Sequence, residues 1–264
     1  MLEFSQTPLA DMRIIVTGAA SGIGQAAARI LHTRGAKLML ADVNPERLEE
    51  TRHELSARPG HAPLAWCCDV SSATSCDELA DQAEERLGGI DALVHCAGIL
   101  RPPGGRPQPL YLLEDREFDL VVGINLKGTF LMNRAVLRKM LPRKQGQIIN
   151  LSSTSGQRGR PLDSIYSASK AGVIGLTESV AEEVRAFGIR VQVILPDAVD
   201  TPLWRQNGPM PVPPPGSLPP ERVGELIALC LSLPPDATLE RIVIQPFRKG
   251  RKQKAPAQSP GDDA

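Results

Sequence analysis

Apolar bursts of strand length alternate along the chain with longer stretches in which apolar residues recur every three or four positions. "MRIIVTG" reads as a buried strand breaking into glycine, and "GIGQAAARILHTRG" as the helix after it, stopped by Gly35. "AKLMLAD" is a second buried strand, and "NPERLEETRHELSA" a helix capped by Asn44 with Pro45 at its first position. The cycle repeats with "PLAWCCD" and "SATSCDELADQAEERLG", then with "IDALVHCAG" and a helical region from about residue 114 to 141. "GQIINLSS", a helix over about 163–187 and "IRVQVILP" complete six strands; "PPERVGELIALCLSL" and "ERIVIQPF" add a short helix and a last strand. Near-continuous apolar strands separated by helices predict an α/β fold: one domain built on a doubly wound parallel sheet of about seven strands, with helices on both faces.

Two segments break this rhythm. "LRPPGGRPQPL" is a proline- and glycine-rich loop after the fourth strand. Residues from Pro202 to Pro220 are so dense in proline that regular helix is not expected across most of them, and an integral substrate loop is expected over about 197–220. The domain then runs over residues 1–247, and the polar tail 248–264 is expected to be disordered.

Composition narrows the function. Thirty basic residues balance thirty acidic ones, which argues against a general binder of nucleic acid or anionic membrane; the basic run "RKGRKQK" reads as a solvated tail. Five cysteines (Cys67, Cys68, Cys76, Cys96 and Cys230) form no CxxC pair, so a disulfide framework is not expected and a reducing, cytoplasmic setting is. The N-terminal "MLEFSQTPLADMR" reads as neither signal peptide nor anchor, and no stretch suggests a membrane span. The four histidines have no metal-site spacing, and no metal is expected.

"TGAASGIG" follows the first strand and opens the first helix, with glycines at Gly18, Gly22 and Gly24. Glycine lets a ligand approach the backbone, and the N–H groups at the helix start favour a pyrophosphate. The spacing is GxxxGxG rather than GxGxxG, a weak signal alone that gains weight from its β-α-β setting. Asp42 ends the second strand eighteen residues after Gly24, where a carboxylate accepts from both ribose hydroxyls of NAD and repels a 2′-phosphate. Val43 and Asn44 supply no cation to hold such a phosphate, which favours NAD over NADP. Asp69, after the third strand, reads equally as an adenine contact or a turn former.

Tyr166 is one of two tyrosines, and Lys170 follows it by four residues, so both point from one helix face. A free phenol, with a pKa of about 10, is a poor base at neutral pH, but a nearby ammonium stabilises phenolate. Such a tyrosine can take a proton from an alcohol as hydride leaves, and return it in reverse. Ser153, thirteen residues earlier at the end of the fifth strand, can bind the substrate oxygen.

These motifs together resemble the short-chain dehydrogenase/reductase family in its short, single-domain branch. "TGAASGIG" is similar to the family's cofactor loop, "SSTSGQRGRPLDSIYSASK" to its Ser…Tyr-x-x-x-Lys site, and "INLKGTF" carries a fourth catalytic residue, Asn125. The resemblance runs from about residue 13 to 247 and implies a Rossmann-type sheet. It implies Tyr166 as acid/base, Lys170 binding the nicotinamide ribose and lowering the tyrosine pKa, Ser153 orienting the carbonyl, and Asn125 holding a proton-relay water. Gly18, Ser21, Gly22, Ile23, Gly24, Asp42, Asp69, Val70, Ala97, Tyr166, Lys170, Val199 and Thr201 would contact the cofactor, NAD. Asp91 would steady the central sheet. The small-molecule partner would be an alcohol or carbonyl compound, and the assembly a homodimer or homotetramer pairing through the helices that hold Asn125 and Tyr166.

Two positions depart from the family's pattern. Its Asn-Ala-Gly is Cys96-Ala97-Gly98 here, and its Pro-Gly after the sixth strand is Pro196-Asp197, which brings a side chain beside the nicotinamide pocket. These departures motivate a second reading, a dinucleotide-binding or sensing protein impaired in catalysis. An NADPH-dependent 3-oxoacyl thioester reductase is a third, which Asp42 disfavours. His95 reads as structural, and Trp204 as either a cap over an apolar ligand or a loop anchor.

Overall fold

The computed structural model describes residues 9–208 and 212–247, so the basic run lies outside the described residues. Strands β1 (Arg13–Thr17), β2 (Lys37–Asp42), β3 (Leu64–Cys67), β4 (Ala92–His95), β5 (Gly146–Leu151), β6 (Ile189–Pro196) and β7 (Arg241–Ile244) form one sheet. All pairings are parallel and the order is β3-β2-β1-β4-β5-β6-β7. The helices are α1 (Gly22–Thr33), α2 (Pro45–Ser56), α3 (Ala73–Leu87), α4 (Asp115–Val122), α5 (Gly128–Met140), α6 (Ser164–Val184) and α7 (Pro220–Leu231).

The two-residue period of the strands sorts the core into two layers. Ile14 and Val16 of β1 point to one face with Ala27 and Leu31 of α1, Leu48 of α2 and Ile227 of α7. Ile15 points to the other, with Leu79 of α3, Met132 of α5 and Val184 of α6. Each fully buried aliphatic side chain contributes about 1.5–3 kcal/mol, so both faces must stay covered. Local signals agree with this packing. Asn44 caps α2, its Oδ1 accepting from Arg47 N at 2.9 Å, and Pro45 takes the first helical position.

The region expected as one helix is continuous, but five residues, Gly123–Lys127, widen into a π turn between α4 and α5. That turn carries Asn125, which is fully buried. By length and composition the rod Asp115–Arg143 passes for a membrane span, contrary to the sequence reading. Half of its apolar window is buried, and α5 packs on the sheet and α3, as befits a core helix.

Asp91 clamps the N-terminal ends of the central strands. Its N–H donates to Arg13 O at 2.8 Å, and its own carbonyl accepts from Gln147 N at 2.9 Å. Its carboxylate accepts from Arg13 N at 2.9 Å and Nε at 2.8 Å. Burial alone would raise the Asp91 pKa, yet the Arg13 hydrogen bonds hold it below the ordinary value. Deeper along the sheet, Asn150 of β5 and Asn133 of α5 exchange amide bonds at 2.9 and 3.0 Å, and Asn150 also donates to Thr177 of α6 at 3.1 Å.

A depressed carboxyl pKa stabilises the fold above the unfolded value and loses that stabilisation as pH falls through the folded one. Asp91→Asn is expected to cost about 1–3 kcal/mol at neutral pH. The gap between variant and wild type should close as acid protonates Asp91. Urea unfolding of both proteins over a falling pH series measures this.

Candidate active site

Strand order reverses between β1 and β4, so the loops leaving their C-terminal ends diverge and open a crevice. A cleft of about 570 Å³ occupies it. Gly18, Ser21, Gly22, Ile23, Gly24, Asp42, Asp69, Val70, Ala97, Tyr166, Lys170 and Thr201 all line this one cleft. The glycine loop lies tightly against its neighbours. A Cβ on Gly18, where φ is +67°, would stand 2.9 Å from Ala97 N, and one on Gly24 would overlap the carbonyl of Gly18.

The Ser21 side chain makes no capping bond, which leaves the first amides of α1 facing the cleft. Those donors, with Asp42 at the far end, fit a dinucleotide. Asp42 accepts from Ala20 N at 3.1 Å and from Asn44 N at 3.0 Å, tying β2 to the glycine loop. Asp69 forms a turn, accepting from Ser71 N at 2.9 Å and its hydroxyl at 2.7 Å, while still lining the cleft. Arg47, in the first turn of α2, lines the cleft beside Asp42. It is a cation beyond Val43 and Asn44, the two positions where the sequence offers none.

A smaller pocket of about 80 Å³ adjoins the cleft across Tyr166, with Ser153 and Val199 in its walls. Lys170 is only 6% exposed; its Nζ donates to Leu151 O at 2.9 Å and lies 5.9 Å from the centre of the Tyr166 ring. Asn125 lines neither space. Its amide accepts from Ile99 N at 2.8 Å and donates to Ile99 O at 2.8 Å and Ser169 Oγ at 3.0 Å. Gly98 separates it from the lysine, since a Cβ there would stand 3.1 Å from Asn125 Oδ1 and 3.3 Å from Lys170 Nζ. A family model described as short chain dehydrogenase matches residues 12–211.

The chain belongs to the short-chain dehydrogenase/reductase family. The levodione reductase of Leifsonia aquatica is 38% identical over 198 residues, which cover 75% of this chain and 73% of that protein. The structure of an alcohol dehydrogenase from the archaeon Thermococcus sibiricus, complexed with 5-hydroxy-NADP, matches with a TM-score of 0.80 at 29% identity, covering 91% of this chain and 99% of that one. That of a 3-ketoacyl-(acyl-carrier-protein) reductase from Brucella melitensis, complexed with NADH, has a TM-score of 0.79 at 30% identity, covering 89% and 97%.

In this short-chain dehydrogenase, charges depart from the implied pattern. Burial pushes the Tyr166 phenol up to about 12, and Asp163 adds to the rise, while the Ser153 hydroxyl and Arg160 act against it. Burial thus acts on the free phenol against the lowering implied for it, and the Lys170 head donates to Leu151 O. Burial brings Lys170 itself down to about 8. Burial and then Lys170 depress His95 to about 3, and its Nδ1 lies 2.8 Å from Thr17 Oγ1; it is a neutral structural histidine. Cys96 lines the cleft, and burial raises its thiol to about 12. Among the described residues no cluster of three metal-ligating side chains occurs.

Asp197 lines the small pocket and not the cofactor cleft. Its carboxylate pairs with Arg160 and accepts from the Thr154 hydroxyl at 3.1 Å. Trp204 anchors its loop, its Nε1 donating to Val199 O at 2.8 Å, and the residue also lines the small pocket. Arg101 was missed. Buried among loop groups, it pairs with Asp163 and donates to Asn207 Oδ1 at 2.9 Å, joining three loops around the pocket.

The folded Lys170 pKa of about 8 lies below its ordinary 10.5, so the unfolded chain binds more protons between those values. Wild-type stability should therefore gain on that of Lys170→Met as pH rises through this window. Urea midpoints of the two proteins at about pH 7 and pH 10 measure the change; a constant difference would contradict the buried charge.

Proposed function

We propose that this enzyme interconverts a secondary alcohol and a ketone, with NAD as its preferred cofactor and Tyr166 as general acid/base. The observation that carries this reading is the meeting of Ser153, Tyr166 and Lys170 where the cofactor cleft adjoins the small pocket.

The uncapped start of α1 and the close-packed glycines hold the pyrophosphate, Asp42 the adenosine ribose, and Asp69 and Val70 the adenine edge. Ala97, Lys170 and Thr201 of the cleft, with Val199 in the adjoining pocket, would hold the nicotinamide end. Bound there, the nicotinamide takes or supplies the hydride and, when oxidised, adds a positive charge. Ser153 donates to the substrate oxygen and positions it beside the Tyr166 hydroxyl. In reduction the phenol gives its proton to that oxygen; in oxidation the phenolate takes it back. Lys170, 5.9 Å from the centre of the Tyr166 ring, would bind the nicotinamide ribose and favour the phenolate by its charge. Asn125 acts by holding the Ile99 backbone and the turn of α6 that carries Ser169.

Arg47 favours a second reading for the cofactor alone, since a cation beside Asp42 is what a 2′-phosphate needs. Of the two departures that motivate the impaired-sensor reading, Asp197 pairs with Arg160 and lines only the small pocket, while Cys96 lines the cofactor cleft. Ala168, Ala171 and Gly175 form an exposed small-residue stripe on α6, suited to pairing in a homodimer or homotetramer. Five free thiols suit the cytoplasm.

Tyr166→Phe should lower ketone reduction at least about a thousandfold while leaving NADH affinity within about twofold. Single-turnover kinetics beside a fluorescence titration separate the two effects, and undiminished turnover would remove the tyrosine from the mechanism. The same titration of the wild type should give tight NADH and weak NADPH binding. The opposite order would move Arg47 ahead of Asp42 as the group that decides the cofactor.

A further inference from the structure

The walls of the small pocket differ sharply in chemistry. Ile23, Leu100, Leu203 and Trp204 give it an apolar side, and at about 80 Å³ it is far smaller than the neighbouring cleft of about 570 Å³. The opposite side carries Arg160, whose side chain is 40% exposed. One guanidinium nitrogen, Nη2, meets both the Asp197 carboxylate and the Thr154 hydroxyl, the latter at 3.2 Å. Among the described residues the other N–H groups of that guanidinium have no partner. Arg160 is also near enough to Tyr166 for its charge to act on the phenol.

We propose that Arg160, oriented by Asp197 and Thr154, selects the substrate by donating to a second oxygen on a compact, neutral ketone, a dione or hydroxyketone. This rests on the alcohol–ketone reading above. Neutrality follows from the charges around the pocket. Arg160 is matched by Asp197, and Arg101 by Asp163, so a substrate carboxylate would gain no net cation and would face Asp197 directly. A neutral carbonyl or hydroxyl oxygen accepts from the planar guanidinium without that repulsion. A ketone lacking a second oxygen forgoes that charge-assisted bond, and the free N–H groups stay with solvent.

Calorimetric titration of the NAD-loaded protein, in which ketone reduction has no hydride source, tests this with cyclohexanone, cyclohexane-1,4-dione and 4-oxocyclohexanecarboxylate. The wild type should bind the dione about tenfold or more tighter than either other ligand, the scale of one hydrogen bond to a charged group. Arg160→Met should bring the dione-to-cyclohexanone ratio close to one. Asp197→Asn, which frees the cation, should raise affinity for the carboxylate, and it serves as the second variant if Arg160→Met fails to fold. No dione preference in the wild type, an unchanged ratio in Arg160→Met, or a preference for the carboxylate would each overturn the proposal. Turnover with NADH is read separately. Reduction of cyclohexanone without dione preference defeats this inference alone, whereas NADH binding without reduction of any ketone defeats the parent reading.

Discussion

Lys170 carries an ammonium at the floor of the cleft with 6% exposure, and such a charge is tolerated only where acceptors and space are both supplied. Both come from elsewhere in the chain. The carbonyl of Leu151, at the end of β5, receives the Nζ proton at 2.9 Å. The bare Cα of Gly98 leaves room beside it, and the Ser152 hydroxyl bonds to the Lys170 carbonyl at 2.7 Å, pinning α6 to β5. The loop after β5 then passes so close to α6 that a Cβ on Gly156 would stand 2.7 Å from the Lys170 carbonyl group. The end of β5, the loop after β4 and the start of α6 are thus fixed relative to one another by what the lysine needs, and Tyr166 and Ser153 ride on them.

The two ends of the sheet divide the work between them. At the N-terminal end charge-assisted bonds from Arg13 to Asp91 join β1 to the start of β4, and the Asp91 carbonyl accepts from Gln147 N of β5, away from the crevice. At the C-terminal end strands give way to loops with polar groups facing an open cleft, an arrangement that needs a rigid base to keep its geometry. The buried Asn133–Asn150 pair stands between the two, joining α5 to β5 and, through Thr177, to α6. An amide pair of this kind is tolerated in the core because every donor it presents finds an acceptor.

Around the substrate pocket, charge replaces apolar packing as the loop fastener. Arg101 joins the loop after β4 to Asp163 and to Asn207, and Gln206 accepts from the backbone of Leu100 and Arg101 at 2.7 and 3.2 Å. Arg160 and Asp197 join the loop after β5 to the exit of β6. Asp197 is therefore accommodated where glycine was implied, because a cation from another loop draws its carboxylate away from the cofactor side.

The sequence by itself determined the strand and helix pattern, the parallel class of the sheet and the places of the glycine loop, Asp42, Ser153, Tyr166 and Lys170. Those features are written in local periodicity, caps and fixed spacings, which neighbouring residues enforce without help from afar. It did not reveal the π turn that buries Asn125, because a one-residue widening leaves the apolar pattern of a helix almost unchanged. Nor could it reveal that Arg47 reaches the cleft, that Arg101 and Arg160 find Asp163 and Asp197, or how deeply the Tyr166 phenol is buried. Those outcomes depend on distance and desolvation between groups on different loops. Only the closed tertiary structure sets both.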